Sequence, residues 1–187
     1  NSWGGTLAAA YAAKIPDGLQ KLILSSPLIT TSIWVADNKI LRGKLPKETQ
    51  IVMEACEKRL DTVAKEYTDA VNIFYNKHFC RINPWPNSVL KTMHLINSEC
   101  YETMWGPNEF TSNGILEHYD GSKELAKIEV PTLVTCGKFD EATPASTEKF
   151  SQMIPKSQFR VFQNSSHMAF IEEEDAYLEV VNSFLNK

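Results

Sequence analysis

Three side chains in this sequence are of the types that together carry out acyl transfer: Ser2, Asp140 and His167. A serine hydroxyl is a weak nucleophile until a neighbouring imidazole takes its proton. The imidazole works best when a carboxylate fixes its tautomer and stabilises its charged form. Ser2 stands in "SWGG", the second half of a Gly-x-Ser-x-Gly pattern whose first glycine would precede Asn1. Small residues around a serine suit a sharp, strained turn from strand to helix. The following "GTLAAAYAAK" supplies a helix whose first amides can face a developing oxyanion. On this reading Ser2 is the nucleophile and the backbone N–H of Trp3 is one oxyanion donor. Taken alone, a serine beside glycine is more often an ordinary turn residue.

A serine on such a turn predicts an acid after a later strand and a histidine after the next one. "TLVTCGKFDEATP" puts Asp140 just beyond a strand end, in a loop with Gly137 and Pro144, and "VFQNSSHMAF" puts His167 just beyond the following strand. Each has a plainer reading by itself, Asp140 as a turn residue or helix cap and His167 as a surface histidine. The other histidines, His78, His94 and His118, lie in a helical stretch and follow no strand. The order Ser, Asp, His therefore selects His167.

These residues need a scaffold, and the hydrophobic pattern describes one. "LQKLILSSP" reads as a short buried strand around Leu22, Ile23 and Leu24. "VPTLVTCG" (Val130 to Gly137) and "QFRVF" (Gln158 to Phe162) are strands separated by a helix beginning near Ala145. "DAYLEVVNSFLNK" closes the chain with Tyr177, Val180, Val181 and Phe184 on one helical face. Strand–helix–strand–helix alternation implies a parallel sheet.

The stretch from Thr31 to Tyr119 is instead helical and aromatic. Within it Val63, Tyr67, Ala70, Val71 and Phe74 fall on one face, and "NPWP" and "WGPNEF" interrupt the pattern. The expected organisation is an α/β fold: residues 1–30 carry the serine turn and first strand, 31–119 form an inserted helical cap, and 120–187 complete the core with the Asp and His.

Composition narrows the function classes. The 187 residues are 43% hydrophobic and 22% charged, ordinary for a globular chain, with a net charge of −4. No basic cluster stands out, which argues against nucleic-acid binding, and no apolar run approaches a membrane span. Cys56, Cys80, Cys100 and Cys136 form no C-x-x-C pair and have no histidine at metal-ligand spacing. They read as reduced thiols in a cytoplasmic protein that needs no metal or organic cofactor.

The segments "SWGGTLAAAYA", "WGPNEF", "IEVPTLVTCGKFDEATP" and "SSHMAFIEEEDAY" make the chain resemble the α/β-hydrolase superfamily and, within it, the proline iminopeptidases of the tricorn-interacting aminopeptidase type. The first, third and fourth are superfamily signals, and "GPNEF" is the specific one. The resemblance implies a serine aminopeptidase that releases N-terminal residues, preferentially proline, from short peptides. It implies that Glu109 and Glu141 hold the substrate's free α-ammonium and that Tyr101 borders the pocket for the first residue. Without it, Glu109 would read as a helix N-terminal carboxylate, Glu141 as a solvated loop charge, and Tyr101 and Trp105 as core aromatics.

Members of that family carry a "HGGPG"-type loop and several strands ahead of the serine. The resemblance therefore casts this chain as the C-terminal part of an α/β-hydrolase fold, with the N-terminal portion of the same enzyme as its partner. A sheet without those strands would expose apolar edges. Two other functions share the pattern: a capped esterase or carbon–carbon hydrolase, and a non-catalytic hydrolase-fold receptor or subunit. Epoxide hydrolases and haloalkane dehalogenases place aspartate where Ser2 stands and fit less well.

Overall fold

The computed structural model describes residues 1–187. Its strands are β1 (Leu22–Ser25), β2 (Thr132–Gly137) and β3 (Ser157–Phe162). Its helices are α1 (Ser2–Ala12), α2 (Thr31–Arg42), α3 (Lys47–Lys58), α4 (Lys65–His78), α5 (Asn87–Leu95), α6 (Ser98–Met104), α7 (Ser122–Leu125), α8 (Pro144–Gln152), α9 (Ala169–Glu172) and α10 (Glu174–Leu185). The three strands form one parallel sheet in the order β1-β2-β3. Leu24 pairs with Val134 and Val134 with Phe159. All of β2 is buried, the mark of a central parallel strand covered on both faces.

The main core joins Ala9 and Ala12 of α1, Leu22 and Leu24 of β1, Val134 of β2 and Phe150 of α8. The alanines let α1 lie close to the sheet. Gly5 takes this furthest: a Cβ there would stand 3.0 Å from Pro27 Cβ and 3.2 Å from Pro27 Cα. Helix α1 begins at Ser2 itself, earlier than the expected start at Gly5, so the serine is the first helical residue.

Helices α2 to α6 lie between β1 and β2 in the chain, and the two ends of that block are tied together. Thr31 N–H donates to Tyr119 O and Gly121 N–H donates to Ile29 O. The block has its own core of Met53, Cys56, Tyr67, Ala70, Val71 and Phe74 with Phe110. A second cluster packs Trp34 edge-on to Trp105, with ring centroids 6.3 Å apart, beside Leu28 and Ala142. A third brings Phe79 and Cys80 against Met168, the residue after His167.

Two local expectations change. Val63 does not share the apolar face of α4. It is 89% exposed, because Ala64 takes the extended backbone of a helix N-cap (ψ 141°) and puts Val63 off the helical repeat. The stretch from Ser88 to Trp105 is two helices, not one: the Asn97 side chain accepts from Cys100 N–H and starts α6 afresh.

Cys56, Cys80 and Cys136 are buried, Cys100 is exposed, and all four are free thiols. No helix is long and apolar enough to cross a membrane.

Phe74 is completely buried between α4, Phe110 and His78. Phe74→Ala is expected to cost about 3–5 kcal/mol in urea unfolding, whereas Val63→Ala should stay within about 0.5 kcal/mol. Equal costs for the two would contradict the placement of the α4 face.

Candidate active site

The serine turn is strained and pinned. Ser2 has φ 49°, in the left-handed region, a conformation that costs roughly 1–3 kcal/mol for a non-glycine residue and persists only where its surroundings enforce it. Asn1 is one enforcer: its Nδ2 donates to Ser25 O and to His167 O, each at 3.3 Å. Thr6 Oγ1 is another, donating to Leu28 O at 2.5 Å. Trp3 N–H lies in the first turn of α1, where amides have no intrahelical acceptor. It is left without an acceptor inside the helix.

Asp140 follows β2 and is 1% exposed. Four donors converge on its two oxygens. Ser26 Oγ (2.5 Å) and Gly137 N–H (3.2 Å) meet Oδ2. Ala142 N–H (2.8 Å) and His167 Nδ1 (2.8 Å) meet Oδ1. A carboxylate only accepts, so the His167 hydrogen sits on Nδ1 and Nε2 is left as a base. The imidazole is 2% exposed. It stacks on Phe79 (centroids 5.8 Å apart, planes 26° apart) and meets Trp34 edge-on at 5.8 Å.

The loop bearing His167 is held by two neighbouring acids. Ser166 N–H donates to Glu172 Oε2 at 2.8 Å, Asn164 N–H donates to Glu173 Oε2 at 2.9 Å, and Ser165 Oγ donates to the same Glu173 oxygen. Gly137 lets the acid and base loops touch, since a Cβ there would sit 2.2 Å from Ser166 O and 2.4 Å from Ser165 O.

Ser2 and His167 face one cavity of about 370 Å³, whose walls include Tyr75, Phe79, Tyr101 and Glu109. Tyr101 OH donates to Glu109 Oε1 at 2.7 Å. The "GPNEF" turn that aims Glu109 is built tightly. Gly106 has φ 147°, and a Cβ there would collide with Thr111 O at 2.1 Å. Trp34 Nε1–H donates to Glu109 O at 2.8 Å, and Asn108 Nδ2 donates to Tyr67 OH at 2.8 Å. A second, mostly apolar cavity of about 260 Å³ adjoins the first and shares Tyr101 and Glu109, with Trp3, Leu28 and Trp105 among its walls.

Glu141 is not the solvated loop charge that its neighbourhood in the sequence implies, nor is it among the residues lining the cavity that Ser2 and His167 face. It is 1% exposed, and neither of its carboxyl oxygens has a hydrogen-bond partner. Its Oε1 is 3.9 Å from His167 Nδ1. Burial pushes the Glu141 carboxyl well above the usual range, and the charges of Glu109 and Asp140 push it the same way. Burial also raises Glu109, against the opposing effects of Tyr101's donated hydrogen bond and nearby His167. Neither acid pairs with a lysine or arginine. Burial and then the charge of Glu109 push the Tyr101 hydroxyl up, so it remains a donor.

The structure thus gathers Ser2, Trp3, Tyr101, Glu109, Asp140, Glu141 and His167 into one region. It adds Asn1, Ser26, Trp34, Tyr75 and Phe79, which sequence reasoning did not single out. Tyr75 and Phe79 are one helical turn apart at the end of α4, so their shared face was visible, though not its direction. Ser26, one residue past β1, carries no signal beyond its position. No group of three or more His, Cys, Asp and Glu side chains is arranged to hold a metal ion.

The buried Glu141 makes a prediction about stability. Its folded proton affinity is raised above the unfolded value near 4.5. The stabilisation by its protonated form is therefore complete below that value and is lost as pH rises through the folded one. Glu141→Gln, which mimics the protonated acid, should raise Tm relative to wild type increasingly from about pH 4 to about pH 8. A difference in Tm that does not change with pH would show that Glu141 is ionised throughout and solvated.

Comparison with known proteins places the fold. Residues 1–174 match the family model described as alpha/beta hydrolase fold. The whole chain is 43% identical to a proline iminopeptidase of Heyndrickxia coagulans, spanning 65% of that protein, and 40% identical to one of Saccharolobus solfataricus, spanning 61%. Among solved structures, the crystal structure of VinJ superposes with a TM-score of 0.95 at 37% identity, over all of this chain and 64% of that one. A proline iminopeptidase of Mycobacterium smegmatis gives 0.91 at 32% identity, over all of this chain and 63% of that one. The chain therefore spans a little under two thirds of the relatives it matches. Because the family model matches residues 1–174, a range that takes in the serine turn, the helical block and both loops beyond the sheet, this chain belongs to the α/β-hydrolase fold family.

Proposed function

We propose that this chain carries the nucleophile, acid and base of a serine aminopeptidase that releases the N-terminal residue, preferentially proline, from short peptides. One observation carries the reading: two acids of raised proton affinity, Glu109 and Glu141, stand beside the catalytic histidine with no cationic side chain to pair with. A buried carboxyl without a partner is costly unless something brings the missing charge. The free α-ammonium of a peptide is a compact cation of the right kind. Aminopeptidase specificity follows, since only a first residue presents that group.

The chemistry then runs in order. The ammonium docks at Glu109, with Glu141 supplying a second negative charge from beside His167, and the first side chain enters the apolar cavity beside Tyr101 and Trp105. Ser2 Oγ attacks the carbonyl of the first peptide bond while His167 Nε2 takes its proton. Asp140 holds the imidazole and stabilises its cationic form. Trp3 N–H donates to the oxyanion. The imidazolium protonates the leaving amine, and water, activated by the same base, frees the acyl group. In this reading no metal or organic cofactor takes part. The second oxyanion donor and the remaining strands come from the third of the relatives' length that lies outside the match. Residues 1–30 and 120–187 form the hydrolase core, and 31–119 form its cap. The four thiols suit a cytoplasmic setting.

Two results check the reading in the complete enzyme. A fluorophosphonate probe should label Ser2, and Ser2→Ala should lower turnover by roughly 10³–10⁶-fold. Label on Ser26 or Ser166 would overturn the assignment. Loss of Glu109 or Glu141 should cost about 2–5 kcal/mol of recognition, or roughly 30- to several-thousand-fold in kcat/KM. That loss should appear with prolyl amide and vanish with its N-acetylated form. An unchanged ratio of free to acetylated substrate in both Glu109→Ala and Glu141→Ala would leave the acids without this role. Wild-type activity confined to p-nitrophenyl esters would favour an esterase.

A further inference from the structure

His78 is the last residue of α4 and belongs to none of the roles above. Its Nδ1 lies 2.7 Å from Phe139 O. A carbonyl can only accept, so Nδ1 carries the hydrogen. The backbone carbonyl of His78 accepts from two amides at once, Glu141 N–H and His167 N–H, each at 3.3 Å. One residue on, Phe79 O accepts from Met168 N–H at 3.2 Å, and the Phe79 ring stacks on His167. Arg81 N–H donates to Glu172 Oε1 at 2.8 Å, and its guanidinium lies 3.8 Å over the Phe139 ring. Glu172 is the same carboxylate that takes Ser166 N–H.

Residues 78–81 are thus a strap from the helical block that touches the acid loop at Phe139 and Glu141 and the base loop at His167, Met168 and, through Glu172, Ser166. Without it those two loops meet mainly through Phe139 N–H donating to Ser165 O, the close approach at Gly137 and the Asp140–His167 pair itself. We propose that His78 is a positioning residue: its side chain and carbonyl fasten α4 to both loops, so the placing of His167 against Asp140 and Glu141 depends on where the helical block sits. The proposal rests on the catalytic reading above and deepens it. Movement of the block away from the core would release the base and the ammonium anchor together, because one carbonyl holds the amides of both.

The test uses His78→Ala, His78→Asn and His78→Gln. The Asn amide can replace the Nδ1–H donor at the same reach, while Gln extends past it. The first readout needs no turnover: the titration midpoint of the His167 imidazole, followed by nitrogen-15 NMR in the full chain. It should move in His78→Ala and His78→Gln and return to the wild-type value in His78→Asn. In the complete enzyme, kcat for prolyl amide should fall roughly 10–100-fold in the Ala variant, as for a small misplacement of catalytic groups. The base limb of its pH profile should move in step, and Asn should restore both. If His78→Ala leaves the His167 midpoint and the pH limb unchanged, His78 merely supports the fold and the proposal is wrong, whatever happens to Tm. If instead no variant, wild type included, shows Ser2-dependent hydrolysis while the His167 midpoint still responds to residue 78, the proposed function fails and the positioning role of His78 stands.

Discussion

Burying acids beside a histidine is the constraint to which the rest of this structure answers. Asp140, Glu141 and His167 are all almost fully buried, and Glu109 stands on the wall of the cavity that His167 faces. Removing a carboxylate from water costs several kcal/mol unless hydrogen bonds or a counter-charge replace the lost solvation. The fold meets that demand for one acid and leaves it unmet for another. Asp140 receives four donors, two of them backbone amides from its own loop. Glu141, the next residue, receives none. Adjacent acids are thus treated differently: Asp140 is satisfied within the protein and fixes the His167 ring, and Glu141 is left without a partner, as the proposed ammonium site requires.

The sheet turns this constraint into geometry. Parallel strands deliver their C-terminal ends to one edge, and ligand sites in open α/β sheets collect there. Asp140 and His167 follow β2 and β3, and Ser26, which donates to Asp140, follows β1. The closeness of these ends depends on residues without side chains. Gly137 lets the acid loop lie against Ser165 and Ser166, and Gly5 lets α1 pack on Pro27 so that Ser2 stays beside the base loop. Strain at Ser2 is held by Asn1, which binds the carbonyls of Ser25 and His167 together. The Ser2 turn, the Asp140 loop and the His167 loop are therefore coupled through backbone contacts as well as through side chains.

Much of this was legible in the sequence because it is written in local rules. The continuous apolar run at Leu22–Leu24 and the "TLVTCG" segment have the pattern of buried parallel strands; both are parallel strands, β2 buried throughout and β1 buried except at the half-buried Ile23. The triad candidates were fixed by their place after strands, which is a topological argument and needs no contact. Val63 failed because periodicity extends a helix past its cap, and only the backbone at Ala64 says where the helix begins. The burial of Glu141 carried no signal in its own stretch of sequence; only the family likeness singled it out as a candidate binding acid. Its residue type and loop position point to solvent, whereas Trp34, which lines a small cavity with it, and the end of α4, where His78 O accepts from Glu141 N–H, come from far earlier in the chain. The strap at His78–Arg81 was hidden for the same reason: backbone carbonyls do its work, and they carry no signature of residue type.

On the proposed reading, the raised proton affinity of Glu109 and Glu141 in the empty site gives way to ionised carboxylates when an ammonium binds. Binding calorimetry of prolinamide to the complete enzyme with Ser2→Ala, in two buffers of different ionisation enthalpy near neutral pH, reads this directly. The account predicts net proton release on binding, diminished in Glu141→Gln. Binding of equal strength with no proton exchange, in both the Ser2→Ala enzyme and the double variant, would contradict it.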